Sequence, residues 1–189
     1  MKENIQWKDA PMPDSSPGTK LSTLFVSDTI ERSRLMLVEF PKGFSRETTG
    51  HYPAYEELFI ISGSLEISGY TFKENDYVLF PPNFTRSNTA CPEGCFAIVW
   101  WSHKPSWCKG PNVNPDNNLV SKESNNINEA FINLLQNDEF HSIFLGRDNT
   151  TFDINEEFIG VDIDNYDFVK GDSLDSLDNG RYFLKINKF

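Results

Sequence analysis

The stretch Gly43–Gly63, GFSRETTGHYPAYEELFIISG, decides the reading of this chain. A glycine opens a short polar loop, and a histidine and a carboxylate, His51 and Glu56, follow it. The loop runs into ELFIIS, an apolar run of strand length that stops at a second glycine. In a small barrel, two polar residues at the mouth of such a strand are placed to face the interior.

Outward from this stretch the pattern repeats. Leu21–Val26 and Arg34–Phe40 precede it as short runs rich in Leu, Val and Phe, and Pro41, Lys42 and Gly43 form a turn between. Gly63 and Ser64 read as a tight turn into SLEIS, and Gly69 as another into YTF. YVLF is halted by Pro81 and Pro82, and Phe96–Trp101, FAIVWW, is a long apolar strand. Strands every 8–12 residues without a helical period imply an antiparallel sandwich or barrel over residues 20–103. Residues 1–19, punctuated by Pro11, Pro13 and Pro17, read as an arm.

Beyond Trp101 the character changes. A Pro/Asn-rich connection leads to Asn126–Gln136, where Ile127, Ala130, Phe131, Leu134 and Leu135 follow one helix face. Asn126 and Glu129 stand at capping-box positions, so a helix is expected there. FHSIFLG, EEFIGVDI and GRYFLKINKF read as further strands. Residues 104–189 are expected to be an extension packed on the barrel, with too few apolar residues for a separate core.

The chain has 189 residues and a formal net charge of -11. That charge argues against nucleic-acid and anionic-membrane surfaces, which require a basic face. No apolar run reaches 18 residues, and the first residues lack the apolar segment of a signal peptide. Three cysteines are too few for a disulfide scaffold. A soluble cytoplasmic protein is the expectation.

Gly43–Gly63 resembles the first motif of the cupin superfamily, G(x)5HxH(x)3–4E(x)6G, with Thr49, His51 and Glu56 at the ligand positions. Asn75–Ala90 resembles the second, G(x)5PxG(x)2H(x)3N, with Asn75 and Asn83 for its glycines and Arg86 for its histidine. The wording around these motifs is similar to that of ChrR-type cupins. The resemblance implies an all-β, cupin-like antiparallel barrel (jelly roll) with a C-terminal extension containing one helix, and by analogy a homodimer.

Metal-binding cupins hold a divalent ion with three His and one Glu; here His51 and Glu56 alone remain. A guanidinium cannot deprotonate to ligate, and Arg86 would repel a cation. No tightly bound cofactor is therefore expected. Arg86 has two readings: a buried ion pair with Glu56, or recognition of a ligand's anionic group. The first functional expectation is a small-molecule binder using His51, Glu56 and Arg86, with Tyr52, Phe59 and Trp100 as walls. A metal-dependent oxygenase, isomerase or decarboxylase, using His51 and Glu56 with help such as His141, is the second. A ChrR-like regulatory protein is the third. A zinc site from Cys91, Cys95, His103 and Cys108 is disfavoured, because a strand of about 3.3 Å per residue separates Cys95 from His103. The Asp-rich segments lack the EF-hand order and read as solvated loops.

Overall fold

The computed structural model describes residues 5–113, 119–122, 131–137, 141–146 and 154–187. It divides into two compact units, residues 6–123 and residues 124–189 with 1–5.

The first unit contains β1 (Lys8–Asp9), β2 (Lys20–Val26), β3 (Arg34–Phe40), β4 (Phe44–Arg46), β5 (Gly50–His51), β6 (Glu56–Ile67), β7 (Tyr70–Lys73), β8 (Tyr77–Phe80), β9 (Thr89–Cys91), β10 (Cys95–Trp101), β11 (Cys108–Lys109) and β12 (Val120–Lys122). These pair antiparallel in the order β1-β2-β3-β10-β6-β8-β12, while β7 and β9 take the far half of β6 and β4 pairs with β9. The sheet thus curls round a jelly-roll core of Met36, Val38, Phe40, Phe44, Leu58, Ile60, Leu65, Ile67, Val78, Phe80, Val99 and Trp101. Alternation along β3, β6 and β10 sends the intervening residues to the opposite face, where Leu35, Leu37, Phe59, Ile98 and Trp100 are buried as well.

The turn expected at Gly63–Ser64 is instead a bend within one 12-residue strand. Gly63 has φ +79°, and a Cβ there would strike the carbonyl of Gly94. The bend carries β6 from β8 and β10 to β7 and β9, so a single strand serves both walls. Asn75 (φ 73°) and Asn83 (φ 64°) adopt the left-handed conformation that the glycines of the second motif would supply.

The second unit is a five-stranded antiparallel sheet. Its strands are β13 (Phe131–Gln136), β14 (His141–Leu145), β15 (Phe158–Asp162), β16 (Phe168–Gly171) and β17 (Tyr182–Ile186), in the order β13-β14-β17-β15-β16. It carries a core of its own, Ile143, Leu145, Ile154, Phe158, Tyr182, Leu184 and Ile186, which composition did not suggest. The expected helix is corrected here: Phe131–Gln136 is a strand, and residues 126–130 lie outside the described residues. The pairing of β13 with β14 slips between Asn133 and Leu135. Such a bulge breaks the two-residue alternation, so apolar residues in this strand need not recur every second position.

Candidate functional site

Three charged side chains are buried together inside the first unit. Arg46 ends β4, Glu56 begins β6, and Arg86 lies in the segment between β8 and β9; they are 5%, 7% and 6% exposed. Arg86 is tied by its backbone to Gly50, in a bridge of N–H···O bonds of 2.8 and 3.0 Å. That bridge aims its guanidinium across the barrel, where Nη1 donates to Glu56 Oε2. The ring of Phe80 lies 4.7 Å and that of Tyr52 4.8 Å from its Cζ. Arg46 stacks 4.3 Å from the centroid of Trp107 and donates from Nη1 to the Tyr52 hydroxyl over 3.3 Å.

The hydrogen-bond account does not balance. Arg46 Nε, Arg46 Nη2, Arg86 Nε and Trp107 Nε1 are all buried without an acceptor. An unsatisfied buried donor costs about 1–3 kcal/mol, more when charged. One carboxylate also faces two guanidiniums. Burial pushes the Glu56 carboxyl above its ordinary value, and the charges of Arg86 and Arg46 only partly pull it back.

These groups line two adjoining cavities. The smaller, about 50 Å³, is bounded by Arg46, Arg86, Glu56, Tyr52, Thr89 and the apolar residues around Phe44 and Phe80. The larger, about 300 Å³, is bounded by Met36, Val38, Val99, Trp101, Trp107 and the N-terminal segment Ala10, Pro11, Met12 and Pro13. Met12, Phe40, Tyr52, Glu56 and Trp101 line both.

Of the residues singled out in the sequence, Glu56, Arg86 and Tyr52 come together here. His51 does not. Its Nδ1 bonds the Gly110 carbonyl at 3.0 Å, and it lines neither cavity. Tyr52, the residue after His51, lines both cavities, and Gly50 is packed against Trp107. A Cβ on Gly50 would lie 2.5 Å from Trp107 Cε2 and 2.6 Å from the Cys108 carbonyl oxygen. Of the positions that the motifs mark for ligands, Thr49, His51, Glu56 and Arg86, only Glu56 and Arg86 line the cavities, and Glu56 alone has ligand chemistry. This donor set does not fit a divalent metal: its one carboxylate is engaged by Arg86, and a second guanidinium stands beside it. Among the described residues no three His, Cys, Asp or Glu side chains converge as a metal site.

Phe59 and Trp100 are likewise relocated. Both lie on the opposite face of the sheet, and Trp101 supplies the wall expected of Trp100. Arg46 was missed, although it stands inside the quoted motif; its one signal was a charged residue spaced to alternate inward with Phe44. Cys91 and Cys95 are buried free thiols, and the hydrogen bond between them together with burial pushes the Cys91 thiol up, away from nucleophilic use. His103 is exposed and bonds Ser102 Oγ at 2.8 Å, and His141 opens a strand of the second unit. Among the described residues no helix is long and apolar enough to cross a membrane.

No family model matches the chain, and no curated protein matches it. Solved structures do. A candidate dioxygenase from Nostoc punctiforme PCC 73102 superposes with TM-score 0.69 at 13% identity, covering 99% of this chain and 81% of that one. Protein Ylba from E. coli, assigned to family DUF861, gives 0.55 at 14% identity over 95% of this chain and 81% of its own. A candidate glyoxylate-induced protein from Pseudomonas aeruginosa gives 0.54 at 11% identity, over 96% and 85%. The chain has the fold of the cupin superfamily.

Proposed function

We propose that the barrel of this cupin-fold protein binds a small anionic molecule, without a tightly held catalytic metal. The observation that carries this reading is the imbalance inside the cavity. Two guanidiniums share one carboxylate, and three of their nitrogens have no acceptor. A closed structural ion pair needs no second cation beside it, and a buried charge is tolerated only with a partner. An anion seated between Arg46 and Arg86 supplies the missing acceptors and offsets the excess charge. The likeness to a candidate dioxygenase is one of fold, and it brings no ligand set to this barrel.

Native mass spectrometry and metal analysis of the purified chain test the reading. A retained or titratable small anion, lost in Arg46→Met, is the expected result. Near-stoichiometric iron, manganese, nickel or zinc that disappears in Glu56→Gln overturns it in favour of a metal-dependent enzyme. The homodimer implied by the resemblance is tested separately by sedimentation equilibrium, where a monomer mass excludes it.

A further inference from the structure

The ligand's class follows from charge and shape, resting on the anion-binding reading above: we infer that it is a monocarboxylate carrying one compact aromatic group. With Glu56 ionised, Arg46, Arg86 and Glu56 leave a single net positive charge, and the surrounding lining is apolar. A monoanion neutralises it. A dicarboxylate or a phosphate dianion leaves an uncompensated negative charge against a largely apolar lining.

The smaller cavity has room for a head group and little else. Two planar guanidiniums line it, each with a nitrogen that has no acceptor, and their geometry suits the fork of a carboxylate. The body must then extend into the larger cavity. There Tyr52 meets Trp101 at 4.8 Å and Trp107 at 5.0 Å between ring centroids, so aromatic surfaces and Met36, Val38 and Val99 receive it. Trp107 Nε1 has no acceptor and lies beside Arg46, adding a donor at the junction. Among the described residues no Lys, Arg or His lines that cavity to hold the second charge of a longer dicarboxylate. Met12 and Pro13 border the same space from the N-terminal segment.

Calorimetry and tryptophan fluorescence on the full chain at pH 7 and fixed ionic strength, with benzoate, acetate, succinate, inorganic phosphate and benzamide, test the class. Benzoate is expected to bind most tightly, with acetate on the order of a hundredfold weaker for want of an apolar body. Succinate and phosphate should fall roughly tenfold or more below benzoate, and benzamide should fall with them. Arg46→Lys, which keeps the charge but loses the fork, should weaken benzoate about tenfold with an unchanged circular dichroism spectrum. Phosphate or succinate binding as tightly as benzoate overturns the monocarboxylate class and leaves the anion reading standing. Benzamide equal to benzoate, or no binding of any anion, overturns both. The wild-type series decides the class even if the Arg46 variant fails to fold.

Discussion

Each unit holds a cluster of acidic and basic side chains, and the two are finished differently. In the second unit Arg181 donates to Asp164 Oδ1 from Nε at 2.9 Å and from Nη2 at 2.7 Å. Asp162 accepts from Asp164 N at 2.8 Å and from Asn165 Nδ2 at 3.0 Å. Donors meet acceptors within the turn, and the cluster is partly exposed. In the barrel, by contrast, the charged groups are more deeply buried and donors outnumber acceptors. The Asp-rich turn is satisfied by its own neighbours, whereas the barrel cluster leaves donors without acceptors.

The strongest way to break this contrast is to remove the one carboxylate that faces both guanidiniums. Glu56→Leu leaves them with neither a counter-charge nor its oxygen acceptors and should destabilise the fold by about 3–5 kcal/mol in urea unfolding. A loss below about 1 kcal/mol would mean that the pair is solvated after all. Next comes Gly50→Ala, which drives a methyl against Trp107 and the Cys108 backbone. It should cost about 1–3 kcal/mol by the same measurement, with Trp107 emission shifted.

Arg46→Met sharpens the comparison most directly, because its two expected effects have opposite signs. Removing a buried cation that has two nitrogens without acceptors should leave the midpoint of thermal unfolding unchanged or higher, while carboxylate affinity falls on the order of a hundredfold. Loss of both together would make Arg46 structural.

A pH titration follows. The Glu56 carboxyl is raised by burial, so lowering the pH through its folded-state value protonates it, removes its charge from beside Arg86 and Arg46, and adds one net positive charge. Affinity for an anion should therefore rise as pH falls, until the ligand itself protonates. Without ligand the sign is set by the same shift. A carboxyl raised in the folded state contributes stability that is full below its unfolded value and is lost as pH rises through the folded one. Calorimetry and thermal melts across this window check both directions. The smallest effect belongs to Arg181→Ala: about 1 kcal/mol or less, with no change in anion binding.

Much of this was legible in the chain. Turn residues spaced the barrel strands, Gly43 and Gly63 bracketed the site, and Arg86 stood opposite Glu56 as its position in the second motif implied. What failed has specific physical causes. β5 is two residues long, too short for alternation to reveal which of Gly50 and His51 faces inward, and a one-residue slip exchanges the faces completely. The same ambiguity chose Trp100 over Trp101. The bulge in β13 imitated a helix. Arg46 escaped notice because a charged residue in a polar loop is ordinarily solvated, and its burial depends on Trp107, 61 positions further along the chain. The core of the second unit was hidden because its apolar residues are dispersed among acidic turns.

The indole packed over Gly50 limits what that position can carry. Any side chain larger than hydrogen meets Trp107 and the Cys108 carbonyl at once, so placing a new functional group there requires the backbone at 107–108 to move first.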